Sequence, residues 1–251
     1  MEKLSLRVLA IFVVCLSVYS AFGQQNIYLG FKGGLSIPNL KSGSNNQNPL
    51  ANGYSSRVGA DLGIVAIFKI NDWFSIQPEL VYSQQGGKKD GLQPIPNTFP
   101  PYQPPYLYAN FNSVARLNYY MLPIMARFDF RLSEKFKLFV NAGGFVSLLG
   151  RARQVNSGGS YIYEDSGGKM QVPGQPYQTS FNNNMDIRND EHRCNAGVAG
   201  AVGFSYDIPG GKIFVDGGFT YGFVVIQRDI VNGANYSGAA TVHLGYLVAI
   251  K

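Results

Sequence analysis

The clearest pattern in the chain is a two-residue alternation of apolar and polar positions over residues 119–132. Alternate positions from Tyr120 to Phe130 are apolar or aromatic, whereas the positions between them end in Arg127, Asp129 and Arg131. Successive side chains of a β-strand point to opposite faces, so a period of two predicts a strand with one apolar and one polar face.

The same alternation recurs along the chain and predicts seven further strands. Their connections alternate between long and short, so that four longer loops fall at one end and three tight turns at the other. This asymmetry is typical of outer-membrane barrels. The sequence therefore predicts an all-β fold, an eight-stranded antiparallel transmembrane up-and-down β-barrel with a cleaved signal peptide. The predicted strands are 27–37, 57–70, 73–85, 119–132, 136–150, 193–208, 212–228 and 237–251.

The N-terminal segment has the parts of a secretory signal peptide. Lys3 and Arg7 give a positive start, an apolar run follows, and a small-x-small cleavage site precedes Gln24. We expect a signal peptide at residues 1–23 and a barrel domain at residues 24–251. After the signal peptide no apolar run is long enough for a spanning helix, so membrane residence requires a closed barrel.

Charged side chains on the polar faces cannot point to lipid, where each would cost about 2–4 kcal/mol at mid-membrane. We therefore expect them to point into the lumen and to pair there. An eight-stranded barrel is just wide enough for its own side chains. A plug of salt bridges is the favoured interpretation, and a gated ion or proton path is the alternative. The predicted lumen charge network is Lys32, Asp61, Lys69, Glu79, Arg127, Asp129, Arg131, Asp216 and His243.

Composition and net charge limit the classes of partner that the protein is expected to contact. Charged residues make up 14% of the chain, against about 25% in ordinary soluble domains. The net charge is +6, and a mildly basic exported protein fits contact with outer-membrane lipid and lipopolysaccharide. The scatter of the charge along the chain argues against nucleic acid. Cys194 is the single cysteine after residue 23, so no internal disulfide is predicted.

No residue pattern predicts catalytic, metal or cofactor chemistry. His192 and His243 have no metal-ligand partner at useful spacing. In Asp190-Glu191-His192, adjacent side chains on an extended segment point in opposite directions and do not converge. We expect no enzyme activity and no cofactor.

The long loops are the best candidates for partner contact, because binding residues are commonly carried on loops. Residues 94–108 are dense in proline and tyrosine, which favours polyproline II and a partner that docks on it. Residues 151–192 form a polar loop suited to glycan or protein recognition. A stiff cap and a mobile loop without partners are the alternatives. The candidate partner-loop residues are Tyr102, Tyr106, Tyr161, Tyr163 and Tyr177.

Three segments resemble the PorT-like outer-membrane β-barrel proteins. Tyr119–Ile124 is similar to the Tyr-x-Glu-Ile/Leu-Pro strand of that family, and Gly30–Gly34 and Phe74–Leu80 also look like it. The resemblance implies an eight-stranded barrel in a Gram-negative outer membrane, and the family's namesake takes part in type IX protein secretion. The chain departs from the family at Met121, where a carboxylate is usual.

The sequence thus predicts a non-enzymatic outer-membrane barrel. It would act through its surface loops or as an accessory component of an outer-membrane assembly such as protein secretion. A narrow pore for small solutes is the first alternative. A soluble lipocalin-like binder is the second, and it is disfavoured because its apolar faces would have to point inward.

Overall fold

The computed structural model describes residues 27–42, 48–97, 105–229 and 233–250, with a single short 3-10 helix at Pro49–Ala51 and β-strands as its regular elements. Eight long strands form the main sheet. They are β1 Ile27–Pro38, β2 Gly59–Lys69, β3 Phe74–Lys89, β4 Asn112–Arg131, β5 Phe136–Ser157, β6 Cys194–Ile208, β7 Gly211–Val225 and β8 Asn235–Ile250. The predicted signal peptide lies outside the described residues.

The sheet closes on itself. Each of these strands pairs antiparallel with the next along the chain, and β8 pairs back onto β1 from Ile27 opposite Ile250 to Pro38 opposite Ala239. The predicted eight-stranded up-and-down barrel is confirmed. Within the described residues, no helix is long and apolar enough to be a candidate membrane span.

Side-chain alternation along β4 shows why the apolar face of the sheet lies on the outside of the barrel. Tyr120, Leu122 and Ile124 are about half exposed on the outer wall, whereas Met121 and Met125 are buried in the lumen. An outer wall covered with exposed apolar side chains is stable against lipid tails and not against water. The predicted assignment of the apolar face to lipid follows the observed burial.

Aromatic rings gather on the outer wall near both ends of the strands. Trp73 stacks on Phe128 with 6.0 Å between ring centroids near the short turns. Tyr82 packs against Tyr120 at 5.6 Å towards the long loops. Such rings mark the interfacial levels of a barrel, so residues of β3, β4 and β5 beyond the second ring level extend out of the membrane.

The connections at one end are tight turns held by side chains. Asn71 Oδ1 accepts hydrogen bonds from the backbone N–H groups of Trp73 at 3.0 Å and Phe74 at 2.8 Å. Ser133 Oγ accepts one from the Phe136 N–H at 3.2 Å. Short turns face the periplasm in outer-membrane barrels, which places the long loops outside the cell.

The two longest predicted loops were placed wrongly at their ends. β3 continues to Lys89 rather than ending at residue 85, and β4 begins at Asn112 rather than at residue 119. β5 continues to Ser157 rather than ending at residue 150. The alternation fades there because both faces of the strands leave lipid, whereas backbone pairing does not depend on side-chain polarity.

The described parts of the four long connections, residues 39–58, 90–111, 158–193 and 226–234, form a folded extracellular layer, here called the cap. The polyproline II prediction is wrong for the two described parts of that loop, because Leu92–Pro96 pairs with Tyr106–Asn110 as a hairpin. Pro94 and Pro96 lie on the edge strand of a three-stranded sheet, where a missing N–H is tolerated. The remaining short strands are Lys41–Ser42, Ser55–Ser56, Gly159–Ser160, Ile162–Tyr163, Thr179–Ser180 and Asn183–Asp186.

Candidate functional site in the lumen and at its outer mouth

Most of the predicted lumen charges lie inside the barrel and contact one another. Lys32 Nζ lies 2.6 Å from Glu79 Oε2. The other Glu79 oxygen accepts a hydrogen bond from Gln77 at 2.6 Å, and Gln77 in turn accepts one from Arg127 Nη1 at 3.1 Å. Arg127 also donates to Asp129 through Nε and Nη2. These contacts satisfy buried charges that would otherwise be costly.

His243 joins three strands through its two ring nitrogens. Nδ1 lies 2.8 Å from Asp216 Oδ1, and Nε2 lies 3.1 Å from Asp61 Oδ1. Ser83 donates to the second Asp61 oxygen at 2.8 Å. Gly34 is the register partner of both His243 and Asp61. Because it has no side chain, the imidazole reaches Asp61 across β1.

Two predicted members of this network lie at its rim instead. Lys69 is only partly buried and pairs with Asp72, which is exposed in the first short turn, at 3.5 Å. Arg131 is exposed at the end of β4. Both positions follow the lumen phase of their strands, but they lie where the barrel opens to water, and long charged side chains extend to water there.

Two apolar clusters enclose the charge network, and sequence reasoning missed both. The turn-side apolar cluster is Val65, Ile67, Phe139, Phe214 and Leu247. The loop-side apolar cluster is Leu40, Val81, Leu117, Tyr119, Met121, Phe145, Leu149, Ala152 and Ile226. Most of these residues share the lumen phase with the charges, so strand phase was the available signal.

Large rings of the clusters pack against glycines of the wall. A Cβ at Gly245 would overlap the ring of Phe214, and one at Gly203 would overlap the ring of Phe139. The guanidinium carbon of Arg127 lies over the Phe139 ring, 3.7 Å from its centroid. The lumen is thereby filled by interlocking side chains, as expected for a barrel of eight strands.

The space left inside the barrel is small. A cavity of about 40 Å³ borders Lys32, Asp61, Glu79, Asp216 and His243. That volume suits a few water molecules rather than a solute. The paired charges and the two apolar clusters occupy the lumen on either side of this cavity.

A second cavity, of about 460 Å³, lies at the loop end of the barrel and is here called the outer cavity. It is lined by the turn at residues 49–51, by the extended ends of β3, β4 and β5, and by cap segments near residues 181–191 and 226–227. Leu40, Leu117 and Ile226 belong both to its lining and to the loop-side apolar cluster. This cluster therefore separates the outer cavity from the charge network.

The ionisable groups of the outer cavity are strongly perturbed by burial. Burial, with a smaller contribution from the adjacent Asp190, raises the pKa of Glu191 to about 7. Burial lowers the pKa of Lys89 to about 8, and burial followed by the nearby Glu191 raises the pKa of Tyr54 to about 12. Titratable groups shifted in this way, in a concave site, mark candidate functional positions.

Lys89 is held in place by its neighbours. Its Nζ donates to the Leu50 carbonyl oxygen at 2.5 Å and lies 4.4 Å from the centroid of the Tyr54 ring. None of these three residues was singled out from the sequence. They lie in segments treated as loops or at the end of a strand, and only the fold brings them together.

The candidate partner-loop tyrosines are spread over the cap rather than gathered. Tyr106 and Tyr163 are half-buried within the three-stranded sheet, and Tyr161 is half-buried beside it. Tyr177 is 81% exposed, and Tyr102 lies outside the described residues. Across the described residues, no group of three or more His, Cys, Asp or Glu side chains could hold a metal ion.

A closed antiparallel barrel with an apolar outer wall, a charged lumen and one set of long loops defines an outer-membrane β-barrel protein. The sequence profile of the family described as "Outer membrane protein beta-barrel domain" matches residues 22–226, and the chain belongs to this family. The protein is located in the outer membrane. No curated protein matches the chain.

Several solved structures are similar at low identity. Neisserial surface protein A is 14% identical, with a TM-score of 0.44 and coverage of 89% of this chain and 97% of that one. Ail of Yersinia pestis is 13% identical, with a TM-score of 0.38 and coverage of 88% and 97%. OprG from Pseudomonas aeruginosa is 10% identical, with a TM-score of 0.33 and coverage of 90% and 92%. At these values they carry no argument about function.

Proposed function

We propose that this protein is a non-enzymatic component of the cell surface that works through its extracellular cap. The observation that carries the proposal is the contrast between the two parts of the barrel. The lumen is filled by paired charges between two apolar clusters, whereas β4 and β5 extend over 20 and 22 residues and support a folded cap. Binding residues on loops held by a rigid scaffold are a common arrangement.

Within this proposal, the finer role is that of an accessory component of an outer-membrane assembly such as protein secretion. The PorT-like segments Tyr119–Ile124 and Phe74–Leu80 support it. They lie on neighbouring strands, β4 and β3, with Tyr120 opposite Tyr82 and Ile124 opposite Pro78. Outer-membrane lipid and lipopolysaccharide would contact the apolar wall, and protein partners would bind the cap.

The absence of enzyme activity is part of the proposal. Ser83, Asp61, His243 and Asp216 form a chain of contacts that superficially resembles a catalytic constellation. All four side chains are buried within the lumen, and the adjoining cavity of about 40 Å³ does not admit a substrate. A nucleophile needs room for the reacting atom of a substrate beside it, so a structural role fits this cluster better.

The alternative, a narrow pore for small solutes, is favoured by one observation. The lumen is lined with charge, as a selective ion path requires. It is disfavoured because the charges pair with one another and because apolar residues close both sides of the network. A pore would require both apolar clusters to move.

Photocrosslinking in intact cells tests the proposed role of the cap. A photoreactive amino acid is placed at the exposed Tyr177 in the cap and, as a matched control, at the exposed Glu134 in a short turn. We expect crosslinks to a defined protein or glycan from the cap position and not from the turn position. Crosslinks from the turn position alone would contradict the proposal and indicate a periplasmic working surface.

A further inference from the structure

The outer cavity holds a buried acid whose charge is not balanced. Glu191 is 7% exposed. Its Oε2 atom is buried and has no hydrogen-bond partner, and no cation of the described residues lies within ion-pair distance of it. Leaving a buried carboxylate oxygen unpaired is costly, and a positive charge in the cavity beside Glu191 would offset part of that cost.

The backbone around Glu191 is fixed, so the position of its side chain is set by the fold. Glu191 and Gln227 form an antiparallel bridge. The N–H of His192 donates to the Ile226 carbonyl oxygen at 2.7 Å, and the N–H of Arg228 donates to that of Asp190 at 2.9 Å. Adjacent side chains on an extended segment alternate. Accordingly Glu191 is buried at the cavity, whereas Asp190 and His192 are exposed.

The lining of the outer cavity is net negative. Among its described residues, Lys89 is the single basic side chain, and it already binds the Leu50 carbonyl oxygen and the Tyr54 ring. Asp186, Asp190 and Glu191 are the acids. A site with one occupied cation and three carboxylates favours a positively charged ligand.

The rest of the lining suits an apolar body. Phe111 and Phe181 stack with 4.4 Å between ring centroids, and both line the cavity with Tyr54, Leu117 and Ile226. Ligand sites typically combine a mostly apolar lining with a few polar groups that fix orientation. Aromatic faces also attract ammonium groups directly.

We propose that the outer cavity is a binding site for a small amphipathic ammonium compound, with Glu191 as the counter-charge of its ammonium group and the aromatic lining as the contact for its apolar part. This rests on the proposed function, because it assigns a ligand to the cap that the proposal makes the working part. The ligand adds what the lining lacks, namely a positive charge beside the Glu191 carboxyl group and its neighbouring acids.

Calorimetric titration of the full-length folded barrel in phospholipid nanodiscs tests the site, with heats from empty nanodiscs subtracted. The probes are 2-phenylethylamine, the neutral 2-phenylethanol and the anionic 3-phenylpropanoate. We expect the amine to bind more tightly than either analogue. In Glu191→Gln the amine should lose tenfold or more in affinity, whereas the alcohol should bind unchanged.

Asp90→Asn is the matched control, because it removes one carboxylate from an exposed cap position that does not line the outer cavity. Its amine affinity should stay within about threefold of the wild type. Both variants must retain heat modifiability, so that loss of binding is not loss of folding. No binding of the amine, equal binding of amine and alcohol, or an equal affinity loss in both variants would overturn the site. None of these outcomes bears on whether the lumen conducts, which separates this inference from the proposed function.

Discussion

His243 and Asp216 face each other across β8 and β7, with Nδ1 of the imidazole 2.8 Å from Oδ1 of the carboxylate. The same ring lies 3.1 Å from Asp61 through its other nitrogen. Carboxylates accept and do not donate, so the imidazole satisfies both when it carries two protons. One side chain therefore links β2, β7 and β8, close to the point where the sheet closes through β1.

Removing the imidazole should destabilise the barrel strongly. His243→Ala leaves Asp61 and Asp216 buried without their shared partner, and breaking one side of a buried charged contact costs about 3–5 kcal/mol. We expect a lower midpoint of heat-induced unfolding, measured by the change in gel mobility of samples heated stepwise. Adding Asp216→Asn to His243→Ala should recover part of the loss, since it removes one of the stranded charges.

The rim offers a control for that experiment. Arg131 is exposed at the end of β4, so Arg131→Ala should leave the midpoint nearly unchanged, as is usual for exposed charges. If His243→Ala behaved like Arg131→Ala, the charge network would not contribute to the closure of the barrel.

Gly34 should tolerate no side chain. A Cβ there would overlap the backbone oxygen of Val242, and it lies between His243 and Asp61 in the register. We expect Gly34→Ala to cost about 1–3 kcal/mol, as for other forced overpacking, measured as the unfolding midpoint in urea. Gly144→Ala is the control, because its outward Cβ would have its nearest neighbour, the Gly197 oxygen, at 3.5 Å. Equal midpoints for the two variants would show that the wall relaxes around Gly34.

The cap should weaken as pH rises towards the folded-state pKa of Glu191. The folded-state pKa is about 7 and the ordinary value is 4.5, so the folded cap binds more protons than the open cap between these values. Stability of the cap is then highest at low pH and falls until about pH 7, where the loss levels off. Tyr54, Lys89, Asp186 and Asp190 also face this cavity. Above its lowered pKa of about 8, Lys89 acts in the opposite direction, and comparison with a variant that keeps Lys89 cancels its contribution.

Proteolysis measures this effect if the wild type is compared with Glu191→Gln at each pH, because the ratio cancels the pH dependence of the protease. Gln resembles the protonated acid and does not titrate. Between pH 5.5 and pH 8.5, the wild type should lose up to about 2 kcal/mol relative to the variant. Cleavage by proteinase K near residues 187–193 should accelerate accordingly. A ratio independent of pH would contradict the burial of the Glu191 carboxylate.

Strand phase explains how much of the fold could be predicted from the sequence. The alternation at Tyr120, Met121 and Leu122 assigned outer and inner faces because lipid and lumen impose opposite polarity on neighbouring positions. The same signal placed Lys32, Glu79 and Asp216 on the lumen face. Their pairing partners could not be predicted, because contacts across the lumen depend on register and on gaps such as Gly34.

The cap escaped prediction for a physical reason. Beyond the membrane, polar residues such as Gln85 and Asn112 occupy strands whose alternation no longer signals a face. Lys89 and Glu191 line the same cavity from segments about a hundred residues apart. A local residue pattern does not predict contacts between segments so far apart in the chain. The one local signal for Glu191 is its place between Asp190 and His192, because alternate side chains of an extended segment point to opposite sides.

Single-channel recording in planar bilayers tests the central claim, that the lumen is closed and the protein works through its cap. The folded barrel, checked by heat modifiability before insertion, is recorded in 1 M KCl beside a general porin that verifies the bilayer. We predict no stepwise conductance from the wild type, because paired charges and two apolar clusters fill its lumen. Reproducible unitary steps from the wild-type barrel would contradict the account and favour the pore.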